Sequence, residues 1–433
     1  MTAAAGLAAR PGKPGRVEIA LAALTLLMFT EAFLPKLLAP PPEVAAADEN
    51  VFLRYLWLPF YGLVIGGLFM AGRNALSAIV RSPLLMMLCA MSLLSTLWSI
   101  APDVSIRRGV AVTATTLLGV YLAARFDWRD GLRLIGGVWF GLLILTLVSG
   151  VIAPKFAVDH ETHEGAWTGG WWEKNQMGGH AARAAMMFAF LVWRDAAWRR
   201  AWIAALFLSM TLVLLSTSAT ALLGMMLGFA VLGAAWWMAK GRHAAVVLLW
   251  AMVVGLGGLV AIYALAPDML LKLIGKDATL TGRTDIWEEL IRAVNVRPWL
   301  GYGYQAFWSK DSEPRYWLQQ AVDWAAPSGH NGWLDLAISL GLVGFVLFLL
   351  DYLLSTCRAI AQATRTPAAV LALGVLVQLI LFSMSESILL WQNSIIWATY
   401  CFVSARLALD ARRGDGRSSA PVLISGTTVR AGG

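Results

Sequence analysis

Charge and cysteine are both scarce in this sequence. Of its 433 residues only 14% are Asp, Glu, Lys or Arg, against 59% that are hydrophobic. A soluble domain carries about a quarter charged residues, and no single core of this size takes up such an apolar excess. Three cysteines, Cys89, Cys357 and Cys401, stand far apart in or beside apolar runs. That spacing excludes a disulfide framework and a zinc-binding cysteine set, and leaves three small apolar residues.

What is abundant is tryptophan (21), glycine (40) and long apolar runs. Measured against the roughly 20 residues that cross a bilayer as a helix, twelve runs qualify: 17–35, 52–72, 83–100, 106–124, 132–152, 177–193, 201–217, 219–239, 243–266, 331–353, 368–386 and 388–408. The fold class expected is all-α: a polytopic integral membrane protein with about 12 transmembrane helices and one large periplasmic loop. Arg10, Lys13 and Arg16 precede the first run as they would in a signal peptide, but the small residues of "VAAAD" (44–48) come well past it, so an uncleaved first helix is preferred.

Orientation follows the distribution of Lys and Arg. With a cytoplasmic N-terminus, the inward segments hold 20 of them, whereas the opposite short loops hold six: Lys36, Arg54, Arg107, Arg108, Lys155 and Lys174. Both termini are therefore expected in the cytoplasm. The net charge of +8 is then accounted for by anionic lipid headgroups, with no nucleic-acid partner. Residues 1–16 form a cytoplasmic leader, 17–408 a single transmembrane domain, and 409–433 a small, polar, basic tail with the composition of a disordered segment.

This topology leaves one long outward excursion, 267–330, with nearly balanced charge. Within it "TDIWEELIRAVNV" (284–296) places Ile286, Trp287, Leu290, Ile291 and Val294 on one helical face, with Asp285 as N-cap and Glu288 as its capping-box partner. Such a helix either lies on the membrane surface or packs on the other spans. Arg283, just before it, combines a planar fork with the free amides of a helix start and is a candidate for binding diphosphate. In "RPWLGYGYQAF" (297–307), Pro298 ends the helix, and Gly301 and Gly303 mark a tight turn.

His330 stands where the excursion returns to the membrane, beside Asn331 and at the N-terminus of the tenth span. A helix start favours the neutral imidazole, the form a general base needs. Arg183 is the one arginine well inside a span, where an ionised group is costly; it either serves function or pairs with a buried acid such as Glu386 or Asp335. Glu386, between Ser385 and Ser387, either meets the site or caps the last helix. Outward tryptophans such as Trp167, Trp171, Trp299 and Trp333 fit an interfacial belt, and also fit stacking on sugars.

Taken in order, "LWSIAPDVSIRR" (97–108), "EKNQMGGHAARAA" (173–185), "STSATAL" (216–222), "TGRTDIW" (281–287) with "RPWLGYG" (297–303), "HN" followed after nine residues by "GLVG" (330–344), and "SES" (385–387) resemble the motifs of the O-antigen ligase and polymerase superfamily of bacterial envelope glycosyltransferases. The resemblance spans roughly residues 90–400. It implies an inner-membrane enzyme with its active site facing the periplasm. Such an enzyme moves a glycan from undecaprenyl diphosphate to an acceptor hydroxyl with inversion, and uses neither metal nor cofactor. Its implied partners are the lipid-linked oligosaccharide donor, a glycan or lipid-linked acceptor, inner-membrane lipids, chain-length regulators and export proteins. His330 becomes the base, Arg283 a phosphate ligand, and Lys174, Asn175, Asn331, Arg183 and Glu386 substrate-binding candidates.

One departure bears on mechanism: where many lipid-linked O-antigen ligases carry an arginine in the Ser-rich turn, Ala219 follows Ser218 here. Another cation must replace it: Arg183 is one candidate, and Lys174, Arg107 and Arg108 are further outward cations that could touch phosphate. The missing arginine, with the "WSIAPDVSIRR" and "SES" pieces, resembles the exopolysaccharide-polymerase branch more than a ligase acting on lipid A core. A transporter of lipid-linked sugars is the alternative from another class, and it is disfavoured by the absence of a two-fold repeat in the pattern of spans.

Overall fold

The computed structural model of the chain describes residues 13–39, 51–238, 283–323 and 325–411. Among these the regular elements are helices, and the one extended pairing is an isolated antiparallel bridge between Val158 and Trp167. The expected ninth span, 243–266, and most of the expected tail lie outside the described residues. Helices occupy the other eleven expected positions.

Four helical stretches are long and apolar enough to cross a membrane: Phe52–Ala71, Trp128–Ile152, Ala196–Leu215 and Gly332–Ala363. A fifth would join Arg73–Arg81 to Pro83–Leu97 across an 83° bend. The protein is thus an integral membrane protein. Other helices are shorter, as Arg16–Met28 is at 13 residues, or less apolar over a sufficient length, as Lys174–Arg194 is with Arg183 inside it.

Several boundaries differ from the periodicity, each for a local reason. The helix Pro102–Arg125 starts at a proline, which tolerates the first helical turn because that turn needs no amide donor; Arg107 and Arg108 therefore lie on the helix and not in a turn before it. The final helix, Ile395–Ala411, begins well after 388, because Leu390 and Asn393 adopt positive φ and interrupt the apolar run. Asp285 is not an N-cap: helix Arg283–Val296 already includes it, so its carboxylate lies in the first turn, still favourable to the helix dipole. Of the apolar face of that helix, Ile286 and Leu290 are fully buried in a small core with Tyr302, Phe307, Trp308, Leu318 and Ile338, while Ile291 is exposed. The face packs on protein.

The 32-residue helix Gly332–Ala363 is broken at Gly341, whose φ of 63° and ψ of −167° are non-helical. A break leaves amides and carbonyls without intrahelical partners, and the segment 298–303 supplies them. The amides of Tyr302 and Gly303 donate to the carbonyls of Ile338 (2.9 Å) and Ser339 (3.1 Å), and those of Leu342 and Val343 donate to Pro298 (2.7 Å) and Trp299 (3.2 Å). Beyond the break, residues 342–363 still run roughly 33 Å, enough for a bilayer core.

The strap 298–305 is held on its other side by the "LWSIAPDVSIRR" stretch. Trp98 Nε1 donates to the Leu300 carbonyl, Ile100 N to Tyr302 O, Ser105 Oγ to Tyr304 O, and Tyr304 N to Ser95 Oγ. Gly303, at φ 99°, lies so close to Ser99 that a Cβ would come within 2.4 Å of its Oγ. The glycines of "YGY" and "GLVG" are thus explained by backbone contact.

Gly341→Ala tests this. Its Cβ would stand 2.3 Å from the Trp299 carbonyl carbon and oxygen, in a left-handed conformation that costs a non-glycine residue about 1 kcal/mol before any clash. We expect a drop in melting temperature of several degrees in detergent and loss of protection of 298–305 in amide exchange; unchanged values would show that the strap does not depend on the break.

Candidate active site

Segments far apart in sequence enclose one cavity of about 660 Å³. Its walls include Arg107 and Arg108 near the start of Pro102–Arg125, Glu173 to Arg183 near the start of Lys174–Arg194, Gln305 to His330 from the excursion, and Phe382 to Ile396 around the turn that follows Pro367–Ser383. At the opposite ends of these helices charge is matched locally: Arg125 meets Glu18 at 2.5 Å, Arg133 meets Asp195 at 2.5 Å and Arg406 meets Asp410 at 3.1 Å. At the cavity end five arginines, Arg54, Arg107, Arg108, Arg183 and Arg315, share the wall with Glu31, Glu173 and Glu386.

His330 lines the cavity and is 6% exposed. Its φ of 45° places a non-glycine residue in the left-handed region, a conformation that persists only where neighbours over-determine it. The neighbours are evident. Gly329 donates its amide to Asp335 Oδ1 (3.1 Å) and accepts Trp287 Nε1 at its carbonyl (2.9 Å). Asp335 also accepts Trp308 Nε1 (2.8 Å) and the hydroxyl of Ser387. One buried carboxylate therefore ties the excursion, the histidine turn and the "SES" turn together. Burial, and then the nearby Arg283 charge, push the His330 imidazole down to about 4, so the ring is neutral at pH 7. The neutral form agrees with expectation, but its main cause is desolvation and not a helix dipole.

Arg183 lines the same cavity, 7% exposed, with its guanidinium 4.0 Å from the centroid of the Phe382 ring. Its Nε and Nη2 are buried without a hydrogen-bond partner among the described residues. A buried guanidinium with open donors is costly. Beneath it a second cavity of about 20 Å³, lined also by Gln378 and Thr399, is large enough for a water.

The other predicted residues divide. Asn175 and Glu386 line the cavity; Asn175 Oδ1 accepts the hydroxyl of Ser218 at 2.7 Å, which joins the "KNQMGG" and "STSATAL" pieces. Gly178 permits this approach, since a Cβ there would lie 2.6 Å from Ser216 Oγ. Arg283 stands beside the cavity and is not among the residues lining it; it donates to the Ser385 carbonyl (3.0 Å) and approaches Glu386 (4.0 Å). Asn331 caps the helix Gly332–Ala363, its Oδ1 accepting the amides of Trp333 (3.0 Å) and Leu334 (3.3 Å). Lys174, the residue before Asn175, is not among the lining residues.

Sequence reasoning missed Glu173, Arg54 and Arg315, which line the cavity too. Glu173 opens the quoted motif "EKNQMGGHAARAA" and was open to discovery. Nothing in the pattern around Arg54 or Arg315 distinguished them from interfacial cations.

Asp335→Asn replaces an acceptor of three donors by an amide that offers N–H to some of them. We expect destabilisation of about 2–3 kcal/mol and release of Trp308 from its apolar packing, read as a red-shifted tryptophan emission; a silent variant would mean that the turn is held elsewhere.

Residues 203–349, which include Arg283 and His330, match the family model described as O-antigen ligase. Over 296 residues the chain is 28% identical to the exopolysaccharide production protein ExoQ of Rhizobium meliloti (strain 1021), an alignment that covers 64% of this chain and 66% of that protein. With the ordered motifs now seen to pack on one another around a single cavity, these matches show a chain similar to proteins of the O-antigen ligase/polymerase superfamily.

Proposed function

We propose that the protein is a glycosyltransferase of polysaccharide assembly in the bacterial inner membrane. It transfers an undecaprenyl-diphosphate-linked glycan to an acceptor hydroxyl on the periplasmic side, with both termini in the cytoplasm. The observation that carries this reading is the convergence in one cavity of a neutral buried histidine and a buried arginine with open donors. Inversion needs those two groups. His330 removes the proton of the acceptor hydroxyl as that oxygen attacks the anomeric carbon, and the bond from carbon to the diphosphate oxygen breaks as the new one forms. The negative charge that develops on the departing diphosphate is met by Arg183 in a partly dehydrated site. No step requires a metal.

In this reading Arg183 takes the place of the arginine missing from the Ser-rich turn and touches phosphate directly. Arg283 holds the Ser385–Glu386 turn, adds positive potential and, after burial, helps to keep His330 neutral. Asn175 and Glu386 are placed to bind sugar hydroxyls, while Asn331 fixes the start of the helix that carries the histidine turn, and Lys174 adds positive charge at the rim.

A polymerase that adds the chain to a second lipid-linked unit is favoured over a ligase for lipid A core. The cavity wall takes arginines from several elements: Arg183 from Lys174–Arg194, Arg54, Arg107 and Arg108 from Val51–Leu56 and Pro102–Arg125, and Arg315 from Glu313–Val322. So many cations suit two anionic lipid substrates better than one. The name of the Rhizobium relative, an exopolysaccharide production protein, points the same way.

Purified protein given lipid-linked repeat alone should yield a ladder of longer glycans and release undecaprenyl diphosphate. Products formed only when lipid A core is added would favour the ligase, and lipid movement with no new glycosidic bond would overturn the enzyme reading. His330→Ala should lower kcat at least 1,000-fold while donor binding persists. Arg183→Lys, which keeps charge and loses the fork, should lower kcat/KM about 100-fold. Replacing Arg107 and Arg108 together by alanine should raise the acceptor KM about tenfold and spare donor binding; an equal loss for both substrates would argue against two anionic subsites.

A further inference from the structure

At the point where His330 meets the cavity, two carboxylates close on it. Glu173 stands one residue before the helix Lys174–Arg194, and Glu386 follows the helix Pro367–Ser383. One donor atom from each of Glu173, His330 and Glu386 lies within 4.8 Å of the other two. Among the described residues this is the one group of three His, Cys, Asp or Glu side chains that close in this way. The histidine-rich stretch "DHETHEG" (159–165) does not: its Asp159 carboxylate is taken up by the amides of Glu161 and Thr162.

We infer that Glu173, His330 and Glu386 form a binding site for a divalent transition-metal ion of the zinc class, and that its occupation reversibly inhibits the enzyme. A tetrahedral zinc holds nitrogen and oxygen donors at about 2.0–2.2 Å, which sets them roughly 3.4 Å apart. Movements of about 1 Å by two carboxylates on rotatable side chains bring the donors to that spacing. Two negative carboxylates and a neutral imidazole balance the charge of the ion, and the fourth corner opens to the cavity, where water fits. An imidazole ligand selects zinc over magnesium, which prefers an all-oxygen, largely hydrated octahedron. Arg283, 4.0 Å from Glu386, competes for that carboxylate and holds the affinity below that of a structural zinc site.

The inhibition follows from electron counting. The imidazole lone pair that accepts the acceptor's proton is the pair that a metal would take, so zinc binding and base catalysis are mutually exclusive. This half of the inference rests on the reading of His330 as base, whereas the binding half does not.

The test uses the full chain in detergent, with His160→Ala, His163→Ala and His243→Ala in every sample so that these histidines contribute nothing. Zinc sulfate is titrated against a chromophoric chelator, and glycan synthesis is followed in parallel. We expect one zinc per chain, affinity lowered at least tenfold by Glu173→Gln and by Glu386→Gln, and binding lost in His330→Gln. Millimolar magnesium should not compete. Saturating zinc should cut glycan formation at least tenfold, and chelation should restore it. The same zinc affinity in Glu173→Gln and in the parent, or no zinc bound by the parent, would overturn the site. A His330→Gln protein that loses zinc yet still polymerises would leave the site standing and remove the histidine from its role as base.

Discussion

The break at Gly341 and the strap laid across it are the constraint on which the site depends. An unbroken helix would satisfy its own backbone and offer 298–303 nothing to bind. Because Gly341 leaves the helical conformation, the amides and carbonyls around it must find partners outside the helix, and the strap supplies them. The strap in turn fixes Gln305 and Trp308. Trp308 reaches Asp335, and Asp335 holds the amide of Gly329, one residue before the histidine. Each link is a directional hydrogen bond between buried groups, so a disturbance at the break is transmitted to His330 through bonds that cannot stretch without cost.

Electrostatics divide the molecule along the axis of its helices. At one end arginines meet carboxylates directly, as Arg125 does Glu18 and Arg133 does Asp195. At the other end Arg183 is desolvated, stacked on Phe382 and short of partners. Buried, unmatched polar groups are costly in a protein interior, so an arrangement that keeps one beside a cavity is understandable when an anion completes it. The same environment keeps His330 neutral. A dehydrated pocket thus suits both halves of the proposed transfer: it keeps the imidazole unprotonated and strengthens the arginine's charge.

Much of this was legible in advance, and the reasons are specific. Helices occur at the eleven expected positions that the structure describes, though only four of the described helices, or five counting a bent pair, are long and apolar enough to cross a membrane; apolar stretches are readable from composition, whereas spanning length is not. The pairing of Arg183 with the cavity was legible as an energetic anomaly, a charge where none is tolerated without purpose. The turn reading of Gly301 and Gly303 followed from backbone freedom. In contrast, Asp285 misled, since it lies inside a helix and does not cap it, and Asn331, read as a site residue, is seen to cap the helix Gly332–Ala363. Short polar side chains serve caps and sites equally well, and only coordinates tell the two uses apart.

The sequence by itself determined what the chain is made of: apolar helices for a membrane, an arginine and a histidine of unusual placement, and a set of motifs in a recognisable order. Tertiary structure alone decided which of those residues share a cavity. It brought Glu173 and Arg54 into the wall, set Arg283 beside it, and made Asp335 the tie between three turns. The physical reason is that periodicity along a chain records the environment of each residue, buried or wet, whereas the meeting of residues more than a hundred positions apart depends on how helices pack, and packing is settled by contacts that no local pattern encodes.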